Sequence, residues 1–275
     1  MSSREDEALA QAAVTALTGQ LALAPKPGLP DPRDLDARVS RMDHGMLRWS
    51  AKALAPGLAA MAAAARRTGE PTPALRTELG AIGRCTEHSV HLAGGGHRGA
   101  LWALGLLVAA AALDPRAGAR DVAATAKRIA AHTDRRAPRR PSRGSSVSAK
   151  YGAAGARGEA RAGFPHVRRA LDTLTGAGAS GATEAQARLN ALLTVMSTLQ
   201  DTELLYTAGP MGLRHVQAGA RTVLESGGTA TEAGADALAS LDADLHARAW
   251  SPRGSAGLLA GALFLDSLPV QVRAA

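Results

Sequence analysis

An all-α fold follows from three features of the chain. Alanine and leucine fill long uninterrupted stretches, aromatic residues are only 3% of the chain, and β-branched or aromatic runs with period two are almost absent. Strands need that alternation, so no sheet is predicted. With 275 residues, 46% of them hydrophobic, the chain can bury one large core. The expectation is a compact single domain over residues 1–275, with about ten helices and a buried central helix.

The first helix runs from about Glu5 to Leu23 and stops at Pro25 and Pro27, whose rings cannot continue it. Gly28 to Arg41 reads as irregular, with Asp31, Asp34 and Asp36 among prolines. A second helix covers Asp43 to Arg67. A third starts at Thr72-Pro73, threonine capping and proline taking the first helical position, and continues to His91. Gly94-Gly95-Gly96-His97-Arg98 opens an apolar helix that ends at Asp114-Pro115, and another covers Asp121 to His132. Residues 133–150 are expected to be a basic mobile loop. Later helices span Phe164 to Thr175, Thr183 to Tyr206, Met211 to Ser226, Thr231 to Ala249 and Gly254 to Leu268. The Thr183 to Tyr206 helix begins at Thr183-x-x-Gln186, a capping-box pattern. Between Leu189 and Gln200 it carries no charge, which marks a helix buried on most sides. The stretch after Arg98 has the same character.

Several classes are excluded. Cys85 is the only cysteine, so no internal disulfide forms and a reducing cytoplasm is expected. Glu5, Asp6 and Glu7 sit where a secretory signal carries positive charge. The longest charge-free apolar run, Gly99 to Leu113, has 15 residues, short of the roughly 20 that span a bilayer, so no membrane partner is expected. Arg135, Arg136, Arg139, Arg140 and Arg143 carry five of the net +8 charges. They read as a solvated loop or as a lid over an anionic ligand. Nucleic acid is a poor partner, because no aromatics are interleaved to stack on bases.

The candidate chemistry lies in five places. Gly94-Gly95-Gly96-His97-Arg98 is either a phosphate-binding helix start or a plain turn with a surface histidine. Lys26, between two prolines, is a rigidly presented cation or an ordinary surface lysine; Asp31, Asp34, Asp36 and Asp43 are metal carboxylates or turn and cap residues. Arg157-Gly158-Glu159 puts a phosphate fork and a carboxylate around one glycine, unless the two form a surface ion pair. Asp201 ends the charge-free stretch and must be paired, metal-bound or neutral. Ser255, in Ser251-Pro252-Arg253-Gly254-Ser255, is a helix-start residue that can bring amides to a phosphate. The histidines show no zinc spacing.

In this order, Pro25-Lys26-Pro27-Gly28-Leu29 with Asp31, His97-Arg98-Gly99-Ala100, Arg157-Gly158-Glu159-Ala160 with Gly163-Phe164-Pro165, Asp201-Thr202, and Ser251-Pro252 with Gly254-Ser255-Ala256 resemble the triphosphoribosyl-dephospho-CoA synthase family. Gly209 to Gln217, with Gly212-Leu213-Arg214, is similar to its malonate decarboxylase-associated branch. The resemblance implies a helical transferase that takes ATP and 3′-dephospho-CoA, releases adenine, and makes the prosthetic-group precursor destined for the acyl carrier subunit of malonate decarboxylase. It further implies magnesium, held by Glu159, Asp201 and Asp31, with Glu159 and Asp201 as the catalytic carboxylates. Lys26, His97, Arg98, Arg157 and Ser255 would hold the phosphates. The chain departs from the family pattern at Val39, Arg41, Gly95, Gly96, Glu203, Thr207 and Gly257. These departures carry a second reading, a relative acting on another nucleotide or acceptor, or a nucleotide-binding protein without catalysis.

Overall fold

The structure, a computed structural model, describes residues 2–33, 44–138, 141–177 and 181–269. Asp34, Asp36, Val39, Arg41, Asp43, Arg139 and Arg140 lie outside the described residues. The described residues form fourteen α-helices, one short 3₁₀ turn and no strand. They begin with α1 (Arg4–Leu21), α2 (His44–Lys52), α3 (Ala55–Thr68), α4 (Pro73–Leu92), α5 (Arg98–Leu113), α6 (Ala119–Ala131) and α7 (Arg143–Tyr151). The chain continues through α8 (Gly155–Arg161), α9 (Pro165–Gly176), α10 (Glu184–Met196), α11 (Thr202–Thr207), α12 (Gly209–Glu225), α13 (Glu232–Ala247) and α14 (Arg253–Asp266). None of these helices is long and apolar enough to cross a membrane.

The all-α expectation holds, and the larger helix number has local causes. The single helix expected from Asp43 to Arg67 is two, α2 and α3, with Pro56 in the first turn of the second. The helix expected from Thr183 to Tyr206 ends at Met196 and restarts at Thr202, where the Asp201 side chain accepts the Glu203 amide as an N-cap. The capping box at Thr183 and Gln186 forms as its spacing requires. Part of the segment expected to be a basic loop is helical. Ser142 caps α7 by accepting the Ser145 amide at 3.2 Å, and Gly152 ends it in the left-handed conformation.

The enclosed helices are α5 and α14. Almost every residue of α5 from Ala100 to Ala112 is buried, as is all of α14 from Ser255 to Leu265. α5 packs on α3, α6 and α14, while α14 also touches α1, α9 and α10. Small residues set this close approach. A β-carbon added at Gly257 would come 3.1 Å from the Ala100 nitrogen, and one at Gly105 would come 2.6 Å from Met61 Sδ. The glycine at 257, where the family pattern has an aspartate, is therefore matched to a tight crossing with the first turn of α5.

Candidate functional site

The starts of α5, α7 and α14 face a common cavity of about 870 Å³. Its other walls are α4, α8, the beginning of α11 and the Lys26–Pro30 turn. α5 has no side-chain cap, so its first-turn amides and positive dipole end are left for whatever occupies the space, whereas in the first turn of α14 the Ser255 amide is taken by Asp201. That open start favours an anion.

The side chains reinforce that polarity. Asp134, which is buried, accepts Arg84 Nη1 at 2.6 Å and stands 3.9 Å from Arg76 Nη1. Arg98 pairs with Glu87 at 3.2 Å, and Arg143 with Glu203 at 3.6 Å. Arg157 and Arg253 have no carboxylate partner among the described residues, and both line the cavity. Lys26 lines it too and is 1% exposed, with Nζ donating to Gln20 Oε1 at 3.1 Å. Cations thus outnumber carboxylates around the cavity.

Asp201 lines the same wall and joins two helices. One carboxylate oxygen accepts the Glu203 amide at 2.9 Å, and the other accepts the Ser255 amide at 3.0 Å and the Ser255 hydroxyl at 3.4 Å. Nearly complete burial pushes its carboxyl above the usual carboxylate range, while those amides pull the other way. Gly254 leaves the room this carboxylate occupies, since a β-carbon there would meet it at 2.9 Å.

His97 is buried, and burial pushes its pKa below the ordinary value. Its Nε2 lies 2.9 Å from the Leu47 carbonyl and 3.0 Å from Ser50 Oγ. A carbonyl only accepts, so Nε2 carries the hydrogen and Nδ1 is the acceptor nitrogen. His97 therefore faces the cavity wall as a neutral group rather than as a cation.

Glu159 does not line the cavity. It is buried in α8, where its oxygens accept the His166 amide at 2.9 Å and bond His166 Nδ1 at 2.7 Å. Its backbone carbonyl accepts the Phe164 amide at 2.9 Å. Phe164 is fully buried with φ at 55°, so Glu159 fastens a turn that a non-glycine residue rarely adopts. Asp31 is also absent from the lining. It accepts the Lys26 amide at 3.0 Å and forms an ion pair with Arg33, which bridges to Asp242 at 2.7 Å. Arg33 holds the Asp31 carboxyl below its ordinary value against the opposing effect of burial, which fastens the turn bearing Lys26.

A family model described as ATP:dephospho-CoA triphosphoribosyl transferase matches residues 6–274. The chain belongs to this family. It is 46% identical over 267 residues to a Stutzerimonas stutzeri protein named probable 2-(5″-triphosphoribosyl)-3′-dephosphocoenzyme-A synthase, covering 95% of this chain and 92% of that one. A Pseudomonas aeruginosa protein of the same name is 48% identical over 268 residues, covering 96% and 91%. An Azotobacter vinelandii protein, again so named, is 46% identical, covering 95% and 91%. No solved structure matches the chain.

In this triphosphoribosyl transferase, the cavity brings together Lys26, His97, Arg98, Arg157 and Asp201. Asp31, Glu159 and Ser255 stand behind the lining and hold its members in place. Sequence reasoning missed Arg76, Arg84, Trp102, Asp134 and Arg253. A signal for two of them was present. Arg76, Gly80 and Arg84 repeat at intervals of four on α4, so two guanidiniums flank a small residue on one helix face. Asp134 fills the space over Gly80, where a β-carbon would come 2.1 Å from its oxygen.

Proposed function

We propose that this transferase joins the 5-triphosphoribosyl group of ATP to the 2′-hydroxyl of 3′-dephospho-CoA. The carrying observation is the cavity, whose excess of cations and uncapped α5 start suit a triphosphate. Its volume, about 870 Å³, lies toward the top of the range of about 300–1,000 Å³ for ligand pockets, as two nucleotides require. The hydroxyl oxygen bonds to C1′ of the ribose while the C1′–N9 bond breaks. Adenine leaves with that electron pair and takes up a proton, and the triphosphate stays on the transferred sugar. The transition state is oxocarbenium-like, which a nearby carboxylate stabilises.

Asp201 is the carboxylate we assign to accept the hydroxyl proton, because it lines the cavity and burial raises its proton affinity. Glu159 serves instead as a positioning residue for the segment that carries Arg157. Magnesium fits as an ion arriving with the triphosphate, bound through one or two carboxylates and phosphate oxygens. Glu203 would hold it with Asp201 Oδ1, since both residues line the cavity and Oδ2 is already filled by the Ser255 amide and hydroxyl. The ion would neutralise charge on the triphosphate.

The likeness of Gly209 to Gln217 to the malonate decarboxylase-associated branch supports a product destined for the acyl carrier subunit of that enzyme, made in the cytoplasm where ATP is plentiful. The deciding experiment incubates purified protein with ATP, magnesium and 3′-dephospho-CoA and follows free adenine by chromatography. Adenine appearing in equal amount with the coupled product is expected. No adenine at enzyme concentrations equal to substrate would overturn the assignment.

A further inference from the structure

Arg76 is a poorly satisfied buried cation among the described residues. It is 6% exposed, yet its guanidinium makes no hydrogen bond among the described residues, and its Nε is buried without a partner. Its nearest carboxylate oxygen, on Asp134, is 3.9 Å away and already taken by Arg84 at 2.6 Å. A buried guanidinium whose Nε–H finds no acceptor and whose one carboxylate neighbour is loosely placed is unfavourable, and such a group persists where a ligand supplies the acceptors.

Its surroundings say what kind of ligand. Burial disfavours the charged guanidinium of Arg76, and Arg84, Arg157 and Arg161 lie close enough to oppose it as well. Arg76, Arg84 and Arg157 all line the cavity, with Asp134 the one carboxylate among them. The guanidinium lies over the Trp102 ring at 4.7 Å, which fixes its plane. Trp102 Nε1 donates to the Ala156 carbonyl at 3.1 Å, tying that plane to the residue before Arg157. A planar cation of fixed orientation, with further cations beside it, matches the forked recognition of phosphoryl oxygens.

We infer that Arg76 is the buried anchor for a condensed phosphate chain, with Arg84 and Arg157 completing the cradle and Trp102 setting the angle of the fork. Resting on the function proposed above, the occupant is the triphosphate of the nucleotide donor rather than the diphosphate of the acceptor. A terminal phosphoryl group carries about 1.5–2 negative charges beyond the inner ones, so the longer chain better answers the cluster of arginines.

The test uses the full chain and two variants, Arg76→Met and Arg76→Lys. Titration calorimetry with inorganic tripolyphosphate should show affinity falling by about tenfold to hundredfold in both, because lysine restores the charge but not the fork. Pyrophosphate should lose less. Arg76→Met should also unfold at a higher temperature than the parent, since it removes an unpartnered buried charge; a residue with a merely structural role would do the opposite. In steady-state assays, KM for ATP should rise more than KM for 3′-dephospho-CoA. Parental tripolyphosphate affinity in either variant, or a larger loss for pyrophosphate, overturns the inference even if the parent releases adenine. A parent that binds tripolyphosphate through Arg76 but releases no adenine leaves the anchor standing and removes the proposed reaction.

Discussion

Removing the Asp201 side chain should separate its two duties. The carboxylate caps α11 through the Glu203 amide and also accepts the amide and hydroxyl of Ser255 in the first turn of α14. Asp201→Ala loses an N-cap, about 1 kcal/mol. It also leaves the buried Ser255 hydroxyl without its acceptor and the Ser255 amide with the Pro252 carbonyl alone, about 1–3 kcal/mol more. The sum is roughly 2–4 kcal/mol in urea unfolding at pH 7. Asp201→Asn keeps the α11 cap, because asparagine caps as well as aspartate. Its amide cannot accept from Ser255, but it removes a carboxylate whose charged form burial disfavours, so the net cost should be smaller. The pH dependence has a definite sign. A carboxyl raised above its unfolded value contributes stability that is present at low pH and lost as pH rises through the folded value. Asp201→Asn should therefore gain on the parent as pH is raised from about 4 toward 7. Both variants should lose adenine release. Equal destabilisation of the two variants, or a parent-to-Asn gap that does not move with pH, would refute this reasoning.

Three further outcomes are expected. Burial holds the His97 pKa down, so its stabilising contribution is present above the unfolded value and lost as pH falls through the folded one; His97→Gln should flatten the acid side of the parent's stability profile below about pH 6.5 in urea unfolding. Glu159→Ala should cost roughly 2–4 kcal/mol by urea unfolding, since it strips the His166 amide and ring of their acceptor and loosens the Phe164 turn, whereas Glu159→Gln keeps the amide bond and most turnover. Gly257→Asp, which restores the family's residue, should lower stability by about 1–3 kcal/mol in thermal unfolding, because its β-carbon would press on the Ala100 nitrogen at 3.1 Å.

What the sequence made legible was chiefly local chemistry. Thr72 before Pro73 and the Thr183–Gln186 pair announce helix starts because the side chain that caps and the amide it satisfies are three residues apart. The Asp201 break was harder to see, because no glycine or proline interrupts Ser197 to Glu203 and the carboxylate is held by a partner 54 residues away, at Ser255. The same distance problem hid the cavity's arginines. Arg76 and Arg84 look like an ordinary solvated face until Asp134 and Trp102 arrive from other segments. Glu159 was read as a ligand because its glycine-rich setting resembles a binding loop, yet that setting is a short helix whose acid points back toward α9.

Nine of the residues lining the cavity are glycines, contributed by α4, α5, α7, α8, α14 and the approach to them. At several of them the room left by the missing side chain is taken by a neighbour, Asp134 over Gly80 and Asp201 over Gly254. Truncating such walls to alanine adds atoms instead of removing them, so the usual scan runs backwards here. A methyl group installed at Gly99 or Gly144, where a β-carbon meets nothing closer than 3.6 Å, would subtract volume from the chamber, whereas at Gly80, Gly105, Gly254 or Gly257 it would strike Asp134, Met61, Asp201 or Ala100. A series of such fillings would act as a set of plugs, reporting which end of the chamber each substrate must enter by whose KM fails first.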